Sequence, residues 1–169
     1  MKIFGLAGWS GSGKTTLLAA LIPYFLSRGL SVSTMKHAHH GFAIDQPGKD
    51  SFVHRQAGAQ EVMVASARRF ALIHELRGAP EPSLEELLAR LSPVDLVLVE
   101  GWKDHPHPKI EIYRPSLGKP FLHQGDPSVL ALASDEPVSG LLLPWLSLAD
   151  VEGIARFIID SLEVWRWPS

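Results

Sequence analysis

The sequence predicts an α/β fold built around a mostly parallel β-sheet with an added β-hairpin. Three observations lead to this prediction. A short apolar strand runs directly into a glycine-rich loop and a helix, beginning with KIFGLAG. A continuous apolar run, VDLVLVEG, is typical of a strand buried on both faces of a parallel sheet. Two further segments flank the tripeptide ARR and indicate a hairpin, EVMVAS and RFALIHE.

The first part of the chain predicts a strand–helix–strand unit. Apolar residues repeat at helical spacing from Leu17 to Phe25, and Gly29 follows as a stop signal. Pro23 lies inside this helix, where it removes one backbone donor and is expected to bend or end the helix. The segment LSVSTMK then indicates a second strand, which implies a right-handed parallel crossover.

The remaining elements are predicted from caps and short apolar runs. The segment HAHHGFAIDQPGKD is turn-rich, so we expect a loop and then a short helix capped by Asp50 or Ser51. Ser83 and Glu86 form a capping-box pattern that opens another helix. Two more strands are indicated by KIEIYR and SVLALAS, and Ser147 is the expected cap of the last helix.

Length and composition narrow the class of protein. The 169 residues suit one domain with a sizeable core, so we predict a single domain over residues 1–169. The formal charge is −2, which gives no basic footprint for nucleic acid. The chain has no cysteine, which excludes disulfides, thiolate metal sites and cysteine nucleophiles. The start MKIFGLAGW is too short for a signal peptide and no apolar run could cross a bilayer, so a cytoplasmic protein without membrane contact is expected.

Residues 8–15, GWSGSGKT, match the phosphate-loop pattern G-x-x-x-x-G-K-[ST] in full. Its glycines let the backbone curl, so that amide hydrogens and the helix N-terminus face phosphate oxygens. Lys14 is expected to reach the β- and γ-phosphates, and Thr15 to offer its hydroxyl to Mg²⁺. The pattern predicts Mg²⁺-bound triphosphate on a P-loop NTPase-like three-layer sandwich. The predicted nucleotide contacts are Gly8, Ser10, Gly11, Ser12, Gly13, Lys14, Thr15 and Thr16.

Glu100 ends the apolar strand LVLVE and is the predicted acidic group on the metal side of the nucleotide. Asp95 lies at the other end of this strand, roughly 16 Å away at about 3.3 Å per residue. Ligands of such folds gather at the carboxyl ends of strands, which favours Glu100. The alternative is an ordinary solvated carboxylate.

The loop after the second strand carries several chemically active side chains. It follows the carboxyl end of a strand, so we expect it on the nucleotide side of the sheet. Asp45 is a candidate to hold Mg²⁺ or to orient the attacking water, and the alternative is a turn-capping aspartate. Three histidines have a spacing that a transition metal could use, although loop histidines are more often solvated or hydrogen-bonded. They are His37, His39 and His40.

Asp135 follows the strand SVLALAS and is the candidate for base recognition, because a carboxylate can accept hydrogen bonds from the guanine edge. The [NT]-K-x-D string of many GTPases is absent, and starting a turn before Pro137 is the alternative role for Asp135. Trp102 and the C-terminal VWRWPS are either edges of the core or a subunit contact.

Four strings between residues 5 and 114 resemble the MobB-type molybdopterin-guanine dinucleotide biosynthesis adaptor proteins, in that family's order. They are GWSGSGKTTLL, MKHAHHGFAIDQPGKDSFVHRQAGA, DLVLVEGWK and HPKIEIYR. The second is the specific one, because phosphate loops occur in many families. Beyond Arg114 the resemblance is looser.

The resemblance implies a P-loop protein that binds GTP with Mg²⁺, hydrolyses GTP slowly and forms homodimers. It also implies a partner, the guanylyltransferase that joins GMP to molybdopterin, with molybdopterin as a further candidate ligand. It carries phosphate binding onto residues 11–16 and a metal-side role onto Glu100, where glutamate is the family's own pattern.

For the loop after the second strand, the resemblance implies membership of a functional loop without fixing each role. The residues concerned are Lys36, His37, Asp45 and Lys49. Combined with the motifs, this gives Lys14, Asp45 and Glu100 as the predicted catalytic residues, and Thr15, Glu100 and Asp45 as the predicted Mg²⁺ ligands.

Three other functions are compatible with the sequence. A small-molecule kinase would need an arginine-rich lid, for which SARRFALIHELRGAP is the candidate, although it indicates a hairpin first. A metal-insertion GTPase would use the HAHH cluster as its metal store. A non-enzymatic partner protein would use the phosphate loop only to sense phosphate.

Overall fold

The computed structural model describes residues 1–38 and 41–164. The elements, in chain order, are β1 (Lys2–Ala7), α1 (Lys14–Ser27), β2 (Val32–Lys36), α2 (Asp50–Gln56), β3 (Glu61–Ala65), β4 (Phe70–His74), α3 (Leu84–Leu88), β5 (Leu96–Glu100), β6 (Lys109–Ile112), a 3-10 turn (Pro115–Leu117), β7 (Val129–Ser134), β8 (Trp145–Ser147) and α4 (Val151–Val164).

The chain divides into two compact units. The first contains Met1–His37 and Leu91–Ser169, and the second contains Ala38–Arg90, which is inserted in the sequence between β2 and β5. The organisation as one domain stays a prediction.

The first unit is built on a six-stranded sheet in the order β2-β5-β1-β6-β7-β8, with every pair parallel. Together with the antiparallel β3–β4 hairpin, this confirms the predicted α/β fold class. All five residues of β5 are buried, as its continuous apolar run predicted. The register places Glu100 of β5 between Leu6 of β1 and Lys36 of β2, so the ends of three strands meet at one edge.

The main core lies where α1 and α4 pack with the sheet. Leu17, Leu21 and Phe25 of α1 are buried and join the cluster that includes Phe4 and Ile154. The helix continues past Pro23 to Ser27, so the expected end of the helix at Pro23 is wrong, while the alternative of a bend stays a prediction. A proline removes only one backbone hydrogen bond, and the buried Leu21 and Phe25 anchor the helix on both sides of it.

The start of α4 differs from the prediction. Ser147 is the last residue of β8 and pairs with Ser134 of β7, so it is not the cap of this helix. The cap is Asp150, whose Oδ1 accepts a hydrogen bond of 2.8 Å from the Gly153 amide. The short strand β8 had no signal in the sequence, because three residues show no clear periodicity.

The second unit contains the predicted hairpin and both predicted short helices. Ser83 Oγ accepts from the Glu86 amide at 3.2 Å, and the Glu86 carboxylate accepts from the Ser83 amide at 2.7 Å, which confirms the capping box. The helix α2 begins at Asp50, so Lys49 occupies the cap position that was expected at Asp50 or Ser51.

Candidate functional site

The loop from Gly8 to Thr15 leaves the carboxyl end of β1 and leads into α1. Gly8, Gly11 and Gly13 have φ angles of 148°, 81° and 102°, a region of backbone conformation that residues other than glycine rarely adopt. A Cβ on Gly8 would lie 2.6 Å from the Ile112 carbonyl oxygen of β6. The loop therefore depends on glycine both for its turns and for its close approach to the neighbouring strand.

The other loop positions differ in accessibility. Ser10, Gly11 and Thr16 are exposed, as contacts to a bound ligand require. Ser12 is buried, and its Oγ has no hydrogen-bond partner among the described residues. The contact of Ser12 with a nucleotide stays a prediction.

Lys14, the first residue of α1, folds back over this loop. Its Nζ donates hydrogen bonds of 2.9 Å to the Gly8 and Trp9 carbonyl oxygens. Burial lowers the pKa of Lys14, the Glu100 carboxylate opposes that shift, and the Lys36 ammonium adds to it. The ammonium group thus sits partly desolvated against the loop, held by carbonyl oxygens that phosphate oxygens could replace.

Thr15, Glu100 and Lys36 meet at the shared edge of β2, β5 and β1. The Thr15 hydroxyl lies 3.4 Å from Glu100 Oε2 and 3.5 Å from Oε1. Lys36 Nζ lies 3.5 Å from Glu100 Oε1, and the side chain of Glu100 is 10% exposed. Hydroxyl and carboxylate oxygens are the ligands that Mg²⁺ prefers, directly or through water, so Thr15 and Glu100 fit this ion.

Asp95 lies at the opposite end of β5, as the sequence predicted. Its carboxylate accepts from the Ser31 hydroxyl at 2.6 Å and from the Ser31 amide at 2.8 Å. These hydrogen bonds lower the pKa of Asp95. Asp95 therefore joins the loop before β2 to the start of β5. It is separate from the other end of β5, where Thr15, Glu100 and Lys36 meet.

His37 packs against the residues that follow β5. Its amide donates to the Glu100 carbonyl at 2.8 Å, and its ring lies 5.0 Å from the Trp102 ring. Gly101 has a φ of 103°, and a Cβ there would lie 2.7 Å from the His37 carbonyl oxygen. The predicted site residue His37 thus lies beside Glu100, and Trp102 packs on it at the edge of the sheet.

Asp45 is held by an ion pair within the second unit. Arg55 donates to both carboxylate oxygens of Asp45, at 2.8 Å from Nε and 3.0 Å from Nη2. The side chain of Asp45 is 2% exposed, and the hydrogen bonds from Arg55 lower its pKa. This bidentate contact gives Asp45 a structural role, and its role toward Mg²⁺ or water stays a prediction.

Three further residues of this loop were singled out in the sequence, Lys49, His39 and His40. Lys49 precedes α2, and its contact with a nucleotide stays a prediction. His39 and His40 lie outside the described residues. Within residues 1–38 and 41–164, no group of three or more His, Asp or Glu side chains could hold a metal ion.

Arg114 is a site residue that our sequence reasoning missed. It follows β6, and its Nε donates to the Ser12 carbonyl oxygen at 3.0 Å. Its Nη1 forms an ion pair with Asp135, the predicted base-recognition residue after β7. The sequence signal was its place directly after the predicted strand KIEIY, whereas the pairing of that strand with β1 is seen only in the structure.

Trp9 is the second site residue that the sequence reasoning did not single out. Its indole N–H donates to the Pro120 carbonyl oxygen at 2.8 Å. The ammonium groups of Lys103 and Lys119 lie 5.9 and 5.7 Å from the centre of its ring. The Gly8–Thr15 loop is thereby attached to the segment after β6.

Charged residues of β6 are buried, although its alternating sequence is typical of a strand with one solvated face. Lys109 is 1% exposed, and its ammonium group donates to the Lys103 and His105 carbonyl oxygens and to Asp126 at 2.6–2.7 Å. Glu111 is fully buried and accepts hydrogen bonds of 2.8–3.0 Å from two main-chain amides and the His123 ring. Each buried charge thus has polar partners that fix the loops beside β6.

The helices formed by the described residues include none that is long and apolar enough to cross a membrane.

Comparison with known proteins gives a family match over most of the chain. The family model "Molybdopterin guanine dinucleotide synthesis protein B", MobB, matches residues 3–135. The molybdopterin-guanine dinucleotide biosynthesis adapter protein of Escherichia coli K12 is 42% identical over 166 residues, 96% of this chain and 94% of that protein. The protein of the same name from Haemophilus influenzae is 40% identical over 168 residues, 98% of this chain and 89% of that one.

Solved structures agree with the sequence match. A crystal structure of molybdopterin-guanine biosynthesis protein B superposes with a TM-score of 0.74 at 31% identity, covering 95% of this chain and 99% of that one. A MobB homologue from Bacillus stearothermophilus gives 0.71 at 27% identity, covering 98% and 100%. Together with the family match, these structures confirm the resemblance seen in the sequence, and the chain belongs to the MobB family.

Proposed function

We propose that this chain binds GTP with Mg²⁺ and acts as an adaptor in molybdopterin guanine dinucleotide biosynthesis, with weak GTPase activity. In this proposal the chain is a cytoplasmic homodimer that works with the guanylyltransferase joining GMP to molybdopterin. The adaptor role is supported by the names of its relatives in Escherichia coli and Haemophilus influenzae.

The observation that carries the nucleotide proposal is the convergence of Lys14, Thr15 and Glu100 at one edge of the sheet. The Lys14 ammonium lies on the Gly8 and Trp9 carbonyl oxygens, and Thr15 lies within 3.5 Å of the Glu100 carboxylate. In this arrangement Lys14 would hold the β- and γ-phosphates, and Thr15 and Glu100 would hold Mg²⁺. A bound Mg²⁺ would supply charge stabilisation at the phosphates.

Asp135 supports a preference for guanine. The guanine edge offers an N–H and an NH₂ group, and both can donate to one carboxylate. Asp135 follows β7, two strands from β1, so its carboxylate lies at the sheet edge from which the Gly8–Thr15 loop emerges.

Slow hydrolysis is supported by the environment of the candidate acids. Asp45, proposed to orient water, has both carboxylate oxygens bound by Arg55. Glu100 is engaged by Thr15 and Lys36 on the proposed metal side. An adaptor whose partner performs the chemistry does not need fast cleavage of its own.

The other candidate functions have less support. The arginines of the candidate kinase lid belong to the β3–β4 hairpin and its exit, where Arg77 donates to the Arg55 and Ala59 carbonyl oxygens. The metal-insertion proposal rests on the histidine-rich loop, part of which lies outside the described residues.

The experiment that tests the adaptor proposal is a titration of this chain with a molybdopterin guanylyltransferase, with and without Mg²⁺ and GTP. We expect a complex that forms more tightly with GTP, and we expect Lys14→Ala to remove that dependence while leaving binding without GTP unchanged. Failure to bind the guanylyltransferase under either condition would contradict the adaptor role.

A further inference from the structure

Arg114 connects the two parts of the candidate nucleotide site. One nitrogen of its guanidinium donates to the Ser12 carbonyl oxygen at 3.0 Å, and another is paired with Asp135. We propose that Arg114 is a positioning residue that fixes the guanine-reading carboxylate relative to the phosphate-binding loop. This inference rests on the proposed function, in which that loop binds GTP.

The sheet order explains why the residue after β6 can make both contacts. β6 lies between β1 and β7, and all three strands run parallel. The Gly8–Thr15 loop follows β1 and Asp135 follows β7, so the two groups emerge on either side of Arg114. A planar guanidinium fork can donate in both directions at once, whereas an ammonium group lacks that fixed geometry.

On the loop side, Arg114 sets the orientation of one peptide unit. In a planar trans peptide the C=O and the following N–H point in opposite directions. Because the Ser12 carbonyl points to Arg114, the Gly13 N–H is directed away from it. Gly13 leaves room for this contact, since a Cβ there would lie 3.2 Å from Arg114 Nη2. Arg114 thereby fixes an amide of the phosphate-loop motif.

On the base side, Arg114 fixes a carboxylate that would otherwise rotate freely. The side chains of Arg114 and Asp135 are 36% and 49% exposed, so the ion pair lies where a ligand can reach it. A carboxylate held at one oxygen presents its acceptors in a defined direction, which is the requirement for telling bases apart. Loss of Arg114 is therefore expected to weaken base discrimination as well as affinity.

Calorimetric titration of Arg114→Met with GTP, inosine triphosphate and inorganic tripolyphosphate tests this proposal. Inosine lacks the 2-amino group of guanine, so the ratio of the GTP and inosine triphosphate affinities reports on the carboxylate. We expect GTP affinity to fall about tenfold or more, and the ratio to move toward one. Asp135→Asn alone should also move the ratio of the GTP and inosine triphosphate affinities toward one. The double variant Arg114→Met/Asp135→Asn should bring that ratio no closer to one.

Two control variants keep the result interpretable. Arg156→Met removes an exposed arginine of α4 and should change nothing. Arg114→Lys keeps the positive charge but lacks the guanidinium fork. It should move the ratio of the GTP and inosine triphosphate affinities toward one even if Arg114→Met fails to fold. A general structural role would weaken all three ligands equally and leave the ratio unchanged, which would overturn the proposal. Absence of GTP binding by the wild type would instead contradict the proposed function, and this inference with it.

Discussion

The Thr15 hydroxyl and the Glu100 carboxylate lie 3.4 Å apart, although 85 residues separate them in the chain. Parallel pairing of β1 with β5 brings them together, because both strands end at the same edge of the sheet. The contact places a hydroxyl and a carboxylate at the edge of the sheet where the Gly8–Thr15 loop carries the Lys14 ammonium, which is the combination that the proposed magnesium-bound triphosphate would require.

Glu100→Gln is expected to weaken GTP binding about tenfold or more in the presence of Mg²⁺, because an amide is a poorer ligand than a carboxylate. In EDTA the same substitution should leave GTP affinity unchanged or raise it, since a negative charge near the phosphates is lost. Titration calorimetry in both buffers measures this difference. Glu163→Gln, an exposed position at the end of α4, is the control. An equal loss in both buffers would argue against a metal-side role.

Guanine is expected to be preferred over adenine, and Asp135 is expected to carry that preference. Asp135→Asn should weaken GTP binding and improve binding of xanthosine triphosphate, because xanthine offers a carbonyl where guanine offers an amino group. Competition of unlabelled nucleotides against a fluorescent GTP analogue measures both effects. Equal competition by ATP and GTP in the wild type would remove the basis for this assignment.

Hydrolysis by the isolated protein is expected to be far slower than roughly one turnover per second, since residues 1–38 and 41–164 place no arginine finger at the site. Phosphate release under single-turnover conditions measures the rate, and Lys14→Ala supplies the background. A wild-type rate near one per second would count against an adaptor and in favour of a dedicated enzyme.

Acid is expected to destabilise the protein through His107. Burial, with a contribution from the Lys109 ammonium, lowers the pKa of His107 to about 3. The unfolded value is about 6.5, so the stabilising effect is complete above that pH and is lost as the pH falls from about 6.5 toward 3.

The neutral variant His107→Asn isolates this effect. Between about pH 7.5 and pH 5, the free energy of unfolding of the wild type should fall about 2 kcal/mol more than that of the variant. Urea unfolding of both proteins at the two pH values measures this difference. The contributions of the other histidines cancel, because the wild type and the variant share them. Parallel pH profiles would mean that His107 can accept a proton in the folded protein.

Most of the fold could be predicted because its signals are local. The five apolar residues of β5, the capping box of Ser83 and Glu86, and the β3–β4 hairpin each show in a few adjacent residues. The short strand β8 and the Asp150 cap were missed, because three residues joining a sheet edge leave no pattern in the sequence.

The residues of the candidate site also divide into those that a local pattern predicts and those that it does not. Lys14, Thr15 and Glu100 belong to short motifs, and the structure brings them together as expected. The contact of Arg114 with Ser12 spans 102 residues and depends on the sheet order, which no local pattern reveals. The burial of Lys109 could not be predicted for a different reason. A buried lysine needs partners from distant loops to compensate its charge, and here one of them is Asp126.

Titration of Mg²⁺-GTP into the wild type and Lys14→Ala tests the central claim most directly. Within the described residues, the Lys14 ammonium donates its hydrogen bonds to the Gly8 and Trp9 carbonyl oxygens at 2.9 Å, so its loss should spare the fold, as thermal unfolding and circular dichroism can check. Lys2→Ala, an exposed lysine at the start of β1, is the matched control. We predict saturable GTP binding by the wild type and the control, and none by a folded Lys14→Ala. Unchanged GTP affinity in Lys14→Ala would contradict the nucleotide-binding account.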